Sequence, residues 1–186
     1  IIRGARQVGK TTLVGQFASR FTHYMYLNLE LPEDRKPFES LSTVDTLLQS
    51  IFFQKNKPFN LKAKNLLFID EIQEVPEAIG ILRYIYEQAP QLHVIAAGSM
   101  LESLFNTDIH FPVGRVSYLM LRPASFPEFL TAMGETAALE QLKHTPVRPF
   151  AHDKLLGLFH TYALIGGMPE VIAHYAAHRN LLALGP

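Results

Sequence analysis

Near the start of the chain, Gly4-Ala5-Arg6-Gln7-Val8-Gly9-Lys10-Thr11 follows the pattern GxxxxGK[ST], with a further hydroxyl at Thr12. Each residue type at that spacing has a use in holding phosphate. Glycines let the backbone curl so that successive N–H groups point inward, and a following helix adds its positive N-terminal end. Lys10 can then reach the β- and γ-phosphates of a nucleotide, and Thr11 can offer its hydroxyl to Mg²⁺. At average composition the pattern arises by chance in fewer than about one chain in a hundred of this length. The competing reading is a glycine-rich turn between a strand and a helix that binds nothing. Arg6 is expected to shape the loop or meet a partner rather than do chemistry.

Leu66-Leu67-Phe68-Ile69 is an apolar run too short for a buried helix, and it ends on Asp70 and Glu71. A strand buried on both faces would deliver those two carboxylates at its C-terminal end. Asp70 can hold the Mg²⁺ that bridges the phosphates, while Glu71 can orient and deprotonate water for attack on the γ-phosphate. By itself the pair reads equally well as a solvated acidic turn, and the phosphate-loop pattern upstream is what favours a Walker B strand. A strand at 24–28 lies between the two motifs, which together with Glu71 favours a water-activating ATPase over a kinase or GTPase. Asn56-Lys57-Pro58-Phe59 lacks the aspartate of a guanine-reading NKxD and precedes the acidic strand, so GTP is disfavoured.

Ser99 follows another apolar run, where a polar residue could sense the γ-phosphate or the attacking water; Ser99-Met100-Leu101-Glu102 is also a capping box, and the two readings are compatible. Arg115 follows Gly114 just before a further strand, either as an arginine finger for a neighbouring subunit or as a brace for the Pro112-Val113-Gly114 turn. In a parallel sheet it would enter at the edge opposite the phosphate loop. His174 and His178 stand four apart on a predicted helix without the glutamate of HExxH, so they read as a solvated face. Tyr84 and Tyr86 read as helix packing.

These groups need a scaffold. Strand-like runs at Ile1-Ile2, 24–28, 66–69, 92–97 and 116–121 alternate with helical stripes at about 10–20, from Leu41 to Ile51 behind Ser40 and Ser42, and from Pro76. Pro32 to Pro37 reads as a charged loop. After Pro123 every stripe is helical: Phe126, Phe129, Leu130 and Met133 behind a Ser125/Glu128 capping box and ended by Gly134, then Leu155, Leu158, Phe159 and Tyr162. Gly166-Gly167 is a helix–helix junction or hinge, and Pro169 opens the last helix. The expected organisation is an ATPase core at 1–122 with a parallel, helix-covered sheet, and a helical lid-like region at 123–186.

The 186 residues are 48% hydrophobic, enough for a core without staples, and contain no cysteine, which removes disulfides and thiolate chemistry. Seventeen basic and seventeen acidic side chains cancel, so nucleic acid is not excluded but has no support from charge. No apolar run has a membrane span's length, and a cytoplasmic location is expected. A chain that starts at Ile1 and stops at Leu184-Gly185-Pro186 reads as a segment of something longer.

GARQVGKTTL, LLFIDEIQEVP, LHVIAAGS, VGR before LRPASFPEFL, and YALIGGMPEVI together resemble the prokaryotic AAA+-type P-loop ATPases whose C-terminal part is a domain of unknown function. The resemblance implies a five-stranded parallel core of order 5-1-4-3-2, a helical region after it, and ATP with Mg²⁺ as ligand. It places Lys10 and Thr11 on the phosphate-loop pair, Asp70 and Glu71 on the Walker B pair, Ser99 on the sensor position and Arg115 on the glycine-arginine motif. The expected activity is hydrolysis of ATP to ADP and phosphate, coupled to movement of the helical or C-terminal region. A homo-oligomer with Arg115 acting in trans and an unidentified protein client are the expected partners. The alternatives are a slow nucleotide-binding switch, read by its occupancy, and a phosphotransferase.

Overall fold

A computed structural model describes residues 1–39, 43–99 and 114–180, which fall into two compact units, Ile1–Leu121 and Arg122–Pro186. In the first, β1 (Ile2–Arg3), α1 (Lys10–Ala18), β2 (His23–Asn28), α2 (Pro32–Glu39), α3 (Val44–Gln54), β3 (Asn65–Asp70), α4 (Pro76–Gln88), β4 (His93–Gly98) and β5 (Leu119–Met120) follow one another. The strands form one sheet in the order β2-β3-β4-β1-β5, and every pairing is parallel. Read from its other edge this is the order 5-1-4-3-2 that the resemblance implies.

All six residues of β3 are buried, as its unbroken apolar run predicts. Leu67 and Ile69 face Met25, Leu27 and the apolar sides of α3 and α4, while Leu66 and Phe68 face Val14 and Ala18 of α1. The register places Asn28 opposite Asp70, and Arg3 opposite Gly98, so β1 to β4 end together at one edge. That edge is where the connections carrying polar side chains leave the sheet.

Several expectations from sequence need correction. Pro32–Glu39 is a helix and not a loop: Pro32 opens it, where a missing N–H costs nothing, and Glu33 and Asp34 sit in its first turn, where negative charge is favourable. Pro37 inside it cannot bond the Glu33 carbonyl, which instead accepts from Gln54 Nε2 at 2.9 Å. Asp34, buried, anchors the same helix by accepting from Asn28 N, Gln54 Nε2 and Lys55 Nζ. The strand expected over 116–121 pairs only at Leu119–Met120, because its neighbour β1 is itself two residues long. Tyr84 and Tyr86 are 51% and 58% exposed: the buried stripe of α4 is Ala78, Ile79, Ile81, Leu82 and Ile85, and both tyrosines lie off it. Helix α3 is capped by Thr43, whose hydroxyl accepts from Thr46 N at 3.1 Å. Ser40, Leu41 and Ser42, expected to start that helix, lie outside the described residues, as do Glu102, Pro112 and Val113.

The described residues of the second unit form four helices and no strand: α5 (Phe126–Ala132), α6 (Thr136–Gln141), α7 (Pro149–Ile165) and α8 (Pro169–His178). They enclose Phe129, Leu130, Met133, Ala138, Ala151, Leu155 and Ile172. The Ser125/Glu128 capping box forms, and the Ser125 hydrogen bonds hold the Glu128 carboxyl below its usual range. Gly134 follows α5 at φ 73°, the left-handed position a helix end needs. The short α6 has no counterpart in the sequence reading. Gly167 is not a free hinge: a Cβ on it would overlap the Ala124 carbonyl oxygen, its own carbonyl accepts from Ala124 N at 2.7 Å, and Tyr162 OH donates to Ala124 O at 2.8 Å. No helix among the described residues is long and apolar enough to cross a membrane.

Candidate functional site

The phosphate-loop segment leaves β1 with Gly4, where a Cβ would overlap the Leu121 carbonyl oxygen. Gln7 at φ 63° and Gly9 at φ 94° are both left-handed, so the backbone reverses twice before α1 begins at Lys10. Val8 pins the loop by burying its side chain. Lys10 is 5% exposed, and its Nζ donates to Gly4 O at 3.0 Å and Ala5 O at 2.9 Å. The ammonium thus lies within the curl of the loop, its charge met by two carbonyls. Ala5, Thr11 and Thr12 are exposed residues, and Arg6 reaches sideways to Glu30 at 2.9 Å in an exposed ion pair worth little to stability.

Asp70, the last residue of β3, stands at the same edge of the sheet as the loop. It is buried, and its Oδ2 accepts from Thr11 Oγ1 at 2.6 Å, across 59 residues of sequence. The same oxygen lies 3.4 Å from the hydroxyl of Tyr26, which donates to it from β2, while Oδ1 accepts from the Glu71 backbone N–H at 3.1 Å. Burial first, then the charge of Asp70 and its hydrogen bond, push the Tyr26 hydroxyl up to about 12. Tyr26 therefore serves Asp70 as a neutral donor. Thr11 and Asp70 present hard oxygen donors, the set that suits Mg²⁺, which takes one or two protein oxygens and fills its octahedron with phosphate and water.

Glu71 has φ 50° and ψ 46°, a conformation uncommon for a side chain of its size, as the chain turns from β3 into a single 3₁₀ turn at Ile72–Glu74. Its Oε2 accepts from Gln73 Nε2 at 2.6 Å and from Ser99 Oγ, at the end of β4, at 3.3 Å. The fold thus brings Lys10, Thr11, Asp70, Glu71 and Ser99 to one edge. Arg115 is elsewhere: it pairs with Glu87 at 3.5 Å, near the C-terminal end of α4, and borders a cavity of about 300 Å³ with Tyr86 and Ser117. Helix α4 returns from the site edge to the start of β4, so Arg115 stands at the far edge of the sheet. His174 and His178 stack on the exposed face of α8, ring centroids 4.3 Å apart, with His178 Nδ1 2.9 Å from His174 O.

Two residues of this edge escaped the sequence reading. Tyr26 lies within the strand expected at 24–28, and only the pairing of β2 with β3 brings its hydroxyl to Asp70. Gln73 stands two residues past Glu71, within a quoted motif, but nothing in sequence announced that its amide would turn back to the carboxylate.

A family model described as an AAA domain matches residues 1–130, most of the chain. The chain belongs to the AAA domain family. Its fold is that of the AAA+-type P-loop ATPases, a nucleotide-binding architecture. Among solved structures, that of Drosophila ORC bound to DNA is similar in fold, with a TM-score of 0.52 at 15% identity, covering 94% of this chain and 53% of that one. The Aeropyrum pernix ORC2 protein in its ADPNP-ADP complexes aligns at a TM-score of 0.46 and 17% identity, over 74% of this chain and 45% of that one. CDC6P from Pyrobaculum aerophilum aligns at 0.46 and 14%, over 73% and 42%. The AAA domain chain therefore spans about half the length of the solved proteins it resembles, or less. No curated protein sequence matches it.

Proposed function

We propose that this AAA domain binds ATP with Mg²⁺ and hydrolyses it to ADP and phosphate, and that residues 1–122 act as the ATPase core of which 123–186 are the lid-like region moved by the cycle. The observation that carries the proposal is the 2.6 Å bond between Thr11 Oγ1 and Asp70 Oδ2, with Glu71 one residue further on. It joins the phosphate loop to the acidic strand end in the arrangement nucleotide hydrolysis needs. Gly4 to Gly9 supply backbone N–H groups for the phosphates, Lys10 exchanges its carbonyl partners for phosphate oxygens, and Thr11 and Asp70 hold the metal. Mg²⁺, when bound, neutralises charge on the β- and γ-phosphates.

Glu71 takes the proton of a water molecule as the water oxygen bonds to the γ-phosphorus and the bond to the β,γ-bridging oxygen breaks. Ser99 keeps the carboxylate in place from β4. Glu71→Gln keeps the shape and loses the base: ATP affinity stays, and turnover falls by about 10²-fold or more, read as steady-state phosphate release. Unchanged turnover would assign water activation to another group.

In the coupling reading, ATP slows amide hydrogen exchange in part of 123–180, and identical exchange with and without ATP would make that region a passive annex. Arg115 is proposed to complete a neighbouring subunit's site, since its place with Glu87 lies across the sheet from its own phosphate loop.

A further inference from the structure

The hydrolysis reading gives Tyr26, on β2, no task. Its ring is placed by the sheet: the register sets Tyr26 opposite Phe68, and the ring stacks on that of Phe68 at 5.4 Å and on that of Tyr24 at 6.4 Å between centroids. Alternation along a strand puts Phe68 and Asp70 on one face, so a long side chain stacked on Phe68 can reach the carboxylate two residues further on. A phenylalanine would stack as well. The hydroxyl is a polar group brought into a half-buried place, which costs free energy unless it finds a partner, and the partner it finds is Asp70 Oδ2.

What meets at that oxygen restricts the role. Asp70 is 4% exposed. Among the described residues its hydrogen-bond donors are the Thr11 and Tyr26 hydroxyls on Oδ2 and the Glu71 backbone N–H on Oδ1, all of them neutral. A carboxylate kept out of water by neutral donors still has its charge to be balanced, which is what a bound cation does. The carboxylate only accepts, so both hydroxyls give it their protons. Thr11 has one proton to give, and giving it to Asp70 turns the lone pairs of Oγ1 away from the carboxylate, open to a metal. A swing of the carboxylate would carry the Thr11 hydroxyl with it. Tyr26, its ring held by two stacks, grips Oδ2 from β2 and opposes that swing.

We propose that Tyr26 is a positioning residue for Mg²⁺: its hydroxyl holds Asp70 Oδ2 in place and, through the bond from Thr11 to the same oxygen, keeps the Thr11 lone pairs directed at the metal. The proposal rests on the reading of Thr11 and Asp70 as the metal-holding pair and adds to it the group that fixes their orientation. Loss of the hydroxyl is therefore felt in metal binding and not in nucleotide binding as such.

Tyr26→Phe keeps the ring and its stacks and removes only the hydroxyl. The Kd of a non-hydrolysable ATP analogue, measured by titration calorimetry in EDTA and again in saturating Mg²⁺, separates nucleotide from metal. The variant should match the parent in EDTA and bind about 10-fold more weakly with Mg²⁺, the low end of the loss expected for a partner behind a metal ligand, since its bond is the longer of the two on Oδ2. Tyr24→Phe removes a hydroxyl one stack away and should change neither affinity. A Tyr26→Phe protein that gains as much from Mg²⁺ as the parent overturns the proposal. So does one that loses affinity equally in both conditions, the mark of a loosened loop, and so does an equal loss of Mg²⁺-dependent affinity in Tyr24→Phe. A parent protein that gains nothing from Mg²⁺ overturns the metal reading and the proposal with it. None of these measurements involves turnover, so a failure of Glu71 as the base is told apart by Glu71→Gln.

Discussion

Gly4 in the first unit and Gly167 in the second do the same mechanical job. At each, another stretch of backbone passes so close that a Cβ would overlap a carbonyl oxygen, that of Leu121 or that of Ala124. What surrounds them differs. Gly4 O accepts from the buried Lys10 ammonium, and Thr11, Asp70, Tyr26 and Glu71 form a connected polar chain in the same unit. Beside Gly167 the polar contacts are those of Ala124 and Tyr162, and the rest is an apolar core. Lys10, Asp34, Asn65 and Asp70, the described polar residues that are buried, all lie in the first unit. Close backbone packing alone therefore marks a joint. A candidate site needs charged side chains held out of water by partners far away in sequence, which only a sheet with fixed register assembles.

The sharpest way to break this contrast is Arg115, a charged residue of the first unit that stands apart from the polar chain. Lys10→Ala and Arg115→Ala are each expected to be inactive, the second by about 10³-fold if the arginine acts as a finger on a neighbouring site. Mixing the two should restore phosphate release through hybrid interfaces. Absence of rescue, with subunit exchange demonstrated, would return Arg115 to bracing the turn through Glu87.

The glycines themselves give the next largest effect. Gly4→Ala and Gly167→Ala should each cost about 1–3 kcal/mol in urea unfolding, since the backbone must move to admit the new carbon. Only Gly4→Ala should also lose ATP affinity, measured by titration calorimetry. Equal losses of affinity in both variants would mean that the two joints are not functionally different.

The smallest effect sharpens the role of Tyr26. Its hydroxyl titrates near 12 in the folded protein against 10.0 when unperturbed, so above pH 10 the unfolded chain releases this proton first. The stability it contributes is complete below pH 10 and declines as pH rises from about 10 to 12. Tyr26→Phe should flatten that part of the curve of unfolding free energy against pH, and an unchanged slope would show that burial and Asp70 together do not raise this hydroxyl.

Much of this was legible in the chain because the carriers are local. A phosphate loop is one run of residues whose glycines and lysine must be neighbours, and a strand buried on both faces must be apolar without interruption, so 4–11 and 66–71 announced themselves. The strand order came with the family resemblance; periodicity alone has no information about which strands lie side by side. Helix α2 was misread because two prolines and four charges mimic a loop, while the groups that make it a helix, Gln54 and Lys55, come from another element. Only the tertiary structure decided that Lys10 lies within its own loop, that Glu71 is shared by Gln73 and Ser99, that Tyr26 reaches Asp70, and that Gly167 is clamped against Ala124. Each of those contacts depends on distance and direction across the fold. Residue type and spacing encode the local turn that carries a side chain, and packing determines what that side chain meets.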